Sequence, residues 1–572
     1  MKYRWRIAPA QPVFIAALVR ELGLSPLLSQ CLLNRGLSEP EAIRTFLEPR
    51  LKWLADPFQL PNMASAVSRL FRAREAAEKV VLFGDYDVDG VTSCTLLAEV
   101  LQRLGWTVEC YLPHRVEEGY GLSRAGVANC LERMRPSLLL AVDCGSTAAE
   151  TIAWLKERGV DTIVLDHHQV THPLPAACAL VNPQLSEPTQ PSFRELCSAG
   201  LAFKLAHALV KHGRIAGWAP AAEFDLRPLL DLVALGTIAD LVPLRDENRI
   251  LVTAGMQRLQ TTTRPGLQAL KEVAGINGPL SVYEVAFRLA PRLNAAGRLE
   301  TAEDALRLLQ ATTLAEAQPL ARKLDEQNRA RQQIEQNIAQ EVITSVRTRF
   351  DPAQDHVIVE GQAPWHIGVV GIVASRVLQE FYRPTLILGG EGEEWRGSGR
   401  SIEGFDLAEA LRECDDLLVR HGGHAMAAGL TVRPERVGKL RDRLNAVARR
   451  RLSPEQLQPL LRLDAEVEAS ELTFERVREL ARLEHTGHGN PPVHLVMRGM
   501  THARPLTRMG ADKKHAKLWV TDGRKVFEAV LWGVGDGPLP VGRFDLAFVP
   551  GLNEFNGSIS IQLKVLDWET RV

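Results

Sequence analysis

From Lys79 onward the chain repeats a short apolar run, a loop and a segment of helical period. The runs are VVLF, TVECYL, SLLLAV and DTIVL, with an extended ACALVN after the last. The intervening segments predict helices near Val91 to Leu104, Leu122 to Met134 and Thr147 to Arg158. Strands alternating with helices imply a parallel sheet with right-handed crossovers, and such sheets take ligands outside the carboxyl ends of their strands. Three of those ends are acidic: Asp85-Tyr86-Asp87-Val88-Asp89, Asp143-Cys144-Gly145 and Asp166-His167-His168.

Carboxylates gathered at the end of a buried sheet are costly. Two of them near 4 Å repel by roughly 4 kcal/mol at an effective dielectric of about 20. A single aspartate there would be explained as a helix cap. Three at alternate positions, with more at neighbouring strand ends, call for a divalent cation. Oxygen donors with an imidazole favour Mn²⁺ or Mg²⁺ over structural zinc. Asp87, Asp89, Asp143, His167 and one further acid would hold two cations about 3.5–4 Å apart, the spacing suited to in-line displacement at phosphorus. The further acid is expected from DLVALGTIADLVPL, where Asp231 is explained as a helix start and Asp240 is not, so Asp240 is the expected ligand. On an extended segment His167 and His168 should project oppositely, one toward metal and the other toward substrate. Cys144 should point away from Asp143, while the isolated His207 and His356 are read as structural.

The rest of the chain divides by pattern into five segments: a helical 1–55, a parallel-sheet α/β domain over 56–312, a long connecting helix over 313–350, a smaller α/β lobe over 351–452 and a β-rich 460–572. Five short strands in the last segment suit a small barrel of the oligonucleotide-binding type. The second lobe is expected to close a cleft over the first across a hinge. With 45% apolar and 24% charged residues the composition is that of a globular protein. Eight cysteines without a CxxC pair indicate neither a zinc knuckle nor a disulfide framework and fit a reducing cytoplasm. Pro12 to Val19 is followed at once by Arg20 and Glu21 and reads as an amphipathic helix, not a signal. No run approaches the roughly 18 apolar residues of a membrane span.

Candidate phosphate donors lie outside the acidic cluster. Arg292, Asn294 and Arg298 group in one segment, and Arg400 sits between Gly399 and Ser401. A net charge of −1 does not advertise a nucleic-acid binder, but charge is unevenly spread. Between Pro491 and Lys525 stand Arg498, Arg504, Arg508, Lys513, Lys514, Lys517, Arg524 and Lys525 against Asp512 and Asp522. With Trp519, Trp532 and Phe555 nearby, this reads as a groove for a charged backbone and stacked bases, although either tryptophan could instead fill a barrel core.

DYDVDG, VDCG, DHH and GTIAD, in this order, resemble the motifs of the DHH phosphoesterase superfamily. APRLNAAGRL, WHIGVVGIVASR, GSGRS and GGHAMAAG further resemble the RecJ single-stranded-DNA exonucleases, over nearly the whole chain. The resemblance implies a DHHA1-like second lobe, an OB-type barrel, and hydrolysis of single-stranded DNA from 5′ to 3′ with two Mn²⁺ or Mg²⁺ ions, in recombination and repair. It implies metal ligation by Asp87, Asp89, Asp143, His167 and Asp240, with Asp85 and His168 in the same site. It also implies contact of Arg115, Ser398 and Arg400 with a terminal 5′ phosphate, and of Arg298 nearer the scissile bond. His366, Gly423 and His424 would line the same cleft. A monomer working with a single-strand-binding protein and a RecQ-type helicase completes the expectation.

Overall fold

The computed structural model describes residues 2–115, 117–186, 193–510, 512–555 and 557–571. The chain forms two compact units, one of residues 37–328 and 482–492, the other of 1–36, 329–481 and 493–572.

The second of these units contains the first strand, β1 (Arg4–Ile7). The first 55 residues, expected to be helical, do carry helices over Pro12–Leu22, Pro26–Asn34 and Pro40–Leu47, but this strand precedes them. It was missed because it is only four residues long and pairs in parallel with Leu460–Leu463, so nothing local announces it. Trp5 and Ile7 pack against Leu461 and Leu463, and the Trp5 indole donates to Asp567 at 2.9 Å.

The 37–328 unit is built on β2 (Lys79–Gly84), β3 (Thr107–Tyr111), β4 (Leu138–Val142), β5 (Asp161–Leu165) and β6 (Ala179–Val181). All pair in parallel in the order β3-β2-β4-β5-β6. Alternation along the strands feeds two cores. Val80, Leu82, Leu138 and Leu140 join one, while Val81, Phe83, Leu139 and Ala141 join the other, as a sheet covered on both faces requires. Cys144 joins the second core, with its thiol 3.9 Å from the Phe83 carbonyl, turned from Asp143 as expected. The helix expected from Val91 begins at Val88 instead, because the Asp87 side chain accepts from the Asp89 and Gly90 amides and caps it. Gly90 is required there, since a Cβ would lie 2.4 Å from the Asp85 carbonyl oxygen.

The helix Leu314–Arg349 runs on through Pro319. Beyond it, β7 (Ile358–Gly361), β8 (Thr385–Gly389), β9 (Trp395–Arg400), β10 (Leu418–His424) and β11 (Ala427–Val432) form a mixed sheet, ordered β10-β11-β9-β8-β7. The glycine-rich stretches around Gly397 and Gly422, read from sequence as a return, are themselves strands. After β12 (Leu460–Leu463) and β13 (Ala465–Glu466) come β14 (Leu495–Met509), β15 (His515–Thr521), β16 (Val526–Leu531), β17 (Phe544–Phe555) and β18 (Ser558–Thr570). Pairing in the order β14-β15-β16-β18-β17 and back to β14 closes a five-stranded barrel. Among the described residues no single helix is long and apolar enough to cross a membrane.

Candidate metal centre

The acidic strand ends do converge. Asp85 follows β2, Asp87 and Asp89 open the helix Val88–Arg103, Asp143 and the 166–168 triplet follow β4 and β5, and Asp240 caps the carboxyl end of the helix Leu230–Ala239. Nε2 of His167 lies 3.4 Å from Asp143 Oδ1, 3.6 Å from Asp240 Oδ2 and 3.9 Å from Asp89 Oδ2. Ligand atoms of Asp85, Asp87 and Asp143 lie within 4.8 Å of one another, as do those of Asp143, His167 and His168 and those of Asp89, Cys197 and Asp240. Asp143 is thus common to two groups, with φ of 64° turning the chain at the strand end.

Whether this set suits a cation can be read from what it leaves unpaired. Asp85 Oδ1, His167 Nε2 and Asp240 Oδ2 are buried and form no hydrogen bond among the described residues. Buried polar atoms are seldom left so. Three in one cluster of carboxylates and imidazole make a cradle for hard or borderline divalent ions. Cys197 is a weaker candidate, because burial holds its thiol far above its ordinary pKa and its Sγ lies 3.4 Å from Thr237 Oγ1.

The electrostatics agree. Burial and then Asp87 push Asp85 up to about 8. Burial and then the Asp89 and Asp87 charges push Asp240 up to about 9. Asp143 is held well above the usual carboxylate range by burial, then by Asp89 and the other carboxylates. Asp89 rises only to about 6: burial and Asp87 raise it, while the Ala199 and Ser198 amides, each 2.7 Å away, oppose them. Burial, then His168, lowers His167 to about 4, leaving a neutral imidazole.

His168 behaves oppositely. Burial disfavours its charge, but the Asp166 carboxylate, 2.7 Å from Nδ1, raises it to about 9. The two imidazoles do not project in opposite directions as predicted. Their rings lie side by side, with centroids 4.4 Å apart, because the chain has left the extended conformation where Asp166 accepts from both histidine amides.

Sequence reasoning passed over several residues that shape this centre. Ser198 donates its hydroxyl to Asp143 at 2.9 Å. Asn182 holds the His168 carbonyl, and the Tyr120 hydroxyl stands 3.5 Å from His168 Nε2. Ser198 and Tyr120 lie on no strand end, and Asn182, directly after β6, carries no charge, so only the fold reveals their roles. Gly236 lets the helices meet around Asp89, since a Cβ would lie 2.6 Å from Ala199 and 3.1 Å from Asp89 Oδ1.

The expected phosphate donors separate. Arg292 is committed to Asp325 at 2.9 Å, so its donor role is corrected to an internal ion pair. Asn294 accepts from the Val88 amide at 3.1 Å and steadies the acidic loop. Arg115 lies over the Tyr86 ring at 5.1 Å, and its charge and that of Arg298 act on Tyr86. In the other unit, Arg400 donates to Ser398 Oγ at 2.8 Å. A Cβ at Gly371, in the first turn of the helix Val370–Phe381, would lie 3.0 Å from Ser398 Oγ and 3.1 Å from an Arg400 nitrogen. Arginine, hydroxyl and helix start therefore share one place, a good anion site. His366 Nδ1 accepts from the Gly368 amide, and His424 ends β10, exposed.

On the barrel the charge count shrinks. Lys517 pairs with Glu528 at 3.0 Å, Lys514 with Asp512 at 2.9 Å, and Arg498 with Glu466 and Asp545. Three of these acids lie outside the basic stretch in sequence, which is why the patch looked stronger there. Lys513 is exposed, with φ of 52°. Neither tryptophan fills the core. Trp519 is half-buried between the buried Leu518 and Val520, with Arg504 stacked 4.8 Å from its ring, and Trp532 is 57% exposed.

Residues 79–237 match the DHH family N-terminal domain, 354–450 the DHHA1 domain and 463–567 the RecJ OB domain. The single-stranded-DNA-specific exonuclease RecJ of Bacillus subtilis (strain 168) is 37% identical over 99% of this chain and 71% of its own. That of Escherichia coli (strain K12) is 34% identical over 94% and 95%. The chain belongs to the RecJ family. The crystal structure of RecJ in complex with Mn²⁺ from Thermus thermophilus superposes with a TM-score of 0.84 at 31% identity, covering 100% of this chain and 80% of the other. A further exonuclease RecJ bound to manganese gives 0.60 at 37% identity, over 71% and 98%. RecJ membership bears out the resemblance and the expected fold class: a parallel-sheet lobe, a long helix, a DHHA1 lobe and an OB barrel.

Proposed function

We propose that this RecJ-family protein is a divalent-metal-dependent exonuclease that degrades single-stranded DNA from 5′ to 3′ in cytoplasmic recombination and repair. The observation that carries the reading is the convergence of Asp85, Asp87, Asp89, Asp143, Asp240 and His167 around buried, unpaired ligand atoms. Asp87, Asp89, Asp143, His167 and Asp240 would hold two Mn²⁺ or Mg²⁺ ions, which when bound supply Lewis acidity and positive charge beside the scissile phosphate.

The protein's own groups do the rest. Asp166 fixes the His168 ring and keeps it charged at neutral pH, so His168 presents a cation and an Nε2 proton toward a phosphate oxygen or the leaving oxygen. Ser198 orients Asp143, and Asn294 with the Asp87 cap holds the acidic loop in register. Arg115 and Arg298 contribute positive charge beside Tyr86. Ser398 and Arg400, at a helix start, suit a terminal 5′ phosphate. Lys513, Trp519 and Arg504 on the barrel suit a passing strand. The protein works as a monomer, and a single-strand-binding protein and a RecQ-type helicase are natural companions for an enzyme that needs separated strands.

Digestion of strands labelled at either end, with Mn²⁺ or Mg²⁺ and then with chelator, tests this directly. Early release of the 5′ label, dependence on the ion and sparing of a blunt duplex are expected. Early release of the 3′ label refutes the polarity, and undiminished hydrolysis in chelator refutes the mechanism. Strong preference for dinucleotides over long strands would assign the site to a small-substrate phosphodiesterase.

A further inference from the structure

The helix Leu230–Ala239 leads into two sites. Asp240 turns its carboxylate toward His167, and the next residue, Leu241, takes φ of 60° and stands 66% exposed. Leu241 and Ile238 form one wall of a cavity of about 550 Å³. Phe287 and Tyr283 also line it, 65% and 62% exposed, with ring centroids 4.8 Å apart. Glu484 and His485 contribute to the lining as well, and every lining residue belongs to the 37–328 and 482–492 unit.

The chemistry of this lining selects its occupant. Among the described residues no lysine or arginine lines the cavity, and Glu484 is exposed at its side, so a phosphate is unwelcome. His485 is held neutral, its pKa lowered by burial and then by Arg249. Large exposed apolar side chains, an aromatic pair and uncharged polar groups suit a flat neutral heteroaromatic ring. The volume accommodates a base with its sugar. Leu241 follows Asp240 directly, and neighbouring Cα atoms lie about 3.8 Å apart, so the cavity lining begins one residue from a carboxylate of the metal cluster.

We propose that this cavity binds one nucleobase of the substrate strand, next to the scissile phosphate, by stacking on Phe287 and Tyr283. The assignment rests on the hydrolytic reading of the carboxylate cluster.

The test uses the whole protein with Mn²⁺ and strands carrying one abasic site at successive positions from the 5′ end. In the wild type an abasic site at one position should raise KM about tenfold, as expected for loss of one stacked base. Phe287→Ala should raise KM similarly on the intact strand, and should then be insensitive to the abasic site at that position while keeping the wild-type response elsewhere. Tyr283→Ala should act in the same direction, and both side chains are exposed enough that the fold should survive. Strands with 2-aminopurine in chelator report stacking without hydrolysis: quenching at one position in the wild type, absent in Phe287→Ala. An unchanged abasic profile in both variants overturns the proposal, and is the result expected if the cavity takes an apolar peptide side chain instead. Hydrolysis by the wild type with no position-specific quenching overturns the base assignment alone. Quenching without hydrolysis in Mn²⁺ overturns the hydrolytic reading alone.

Discussion

Asp240→Asn removes an ionisable carboxyl from the cluster at little structural cost, because Oδ2 forms no hydrogen bond among the described residues. In the native protein burial, then Asp89 and Asp87, push this carboxyl up to about 9, against about 3.9 in an unfolded chain. Between those values the folded state holds a proton that the unfolded state has released, so metal-free stability falls as pH rises. One proton corresponds to about 1.4 kcal/mol per pH unit, or about 2.7 kcal/mol between pH 6 and 8. Other carboxylates share the proton, so the expected gain of Asp240→Asn over wild type across this interval is about 1–3 kcal/mol. At about 2–4 °C per kcal/mol, thermal unfolding in chelator at pH 6, 7 and 8 should resolve it. Mn²⁺ should reverse the order: at a hundred times its dissociation constant it stabilises the wild type by about 2.7 kcal/mol, and the variant, short of a ligand, by less. The transition that Mn²⁺ shifts marks the unit concerned. If metal-free Asp240→Asn were less stable than wild type at pH 8, or had the same pH slope, repulsion relieved by a cation would not be the organising force here.

Ser198→Ala deletes the hydroxyl that orients Asp143, and should weaken Mn²⁺ binding about tenfold in a calorimetric titration. Arg400→Ala should erase most of an approximately tenfold preference for 5′-phosphorylated over 5′-hydroxyl strands, measured as KM, with kcat little changed. Trp519→Ala should weaken single-strand binding about 5- to 100-fold in fluorescence anisotropy. Lys514→Ala, its charge spent on exposed Asp512, should change binding less than twofold.

Much of this protein was legible without coordinates, because the signals are local. Strand and helix periods announced the parallel sheet from Lys79, and alternating apolar residues announced the barrel strands after Leu495. Acidic residues at buried strand ends have few explanations other than metal, so Asp87, Asp89, Asp143 and His167 could be nominated from position alone. Asp240 followed by discounting Asp231, which indeed lies 3.6 Å from Arg264 and accepts from the Thr262 hydroxyl.

What depended on tertiary structure was every question of partnership. Arg292 looked like a phosphate donor until Asp325, 33 residues on, was found to occupy it. The basic stretch of the barrel looked unopposed until Glu466, Glu528 and Asp545 arrived from other strands. Ser198 gave no sign of serving Asp143, and the four-residue strand at Arg4 has a partner more than 450 residues away. The division has one physical origin. Period and strand-end chemistry are written along the chain at distances the backbone sets, whereas charge neutralisation and hydrogen-bond pairing act through space, between residues whose separation only folding decides.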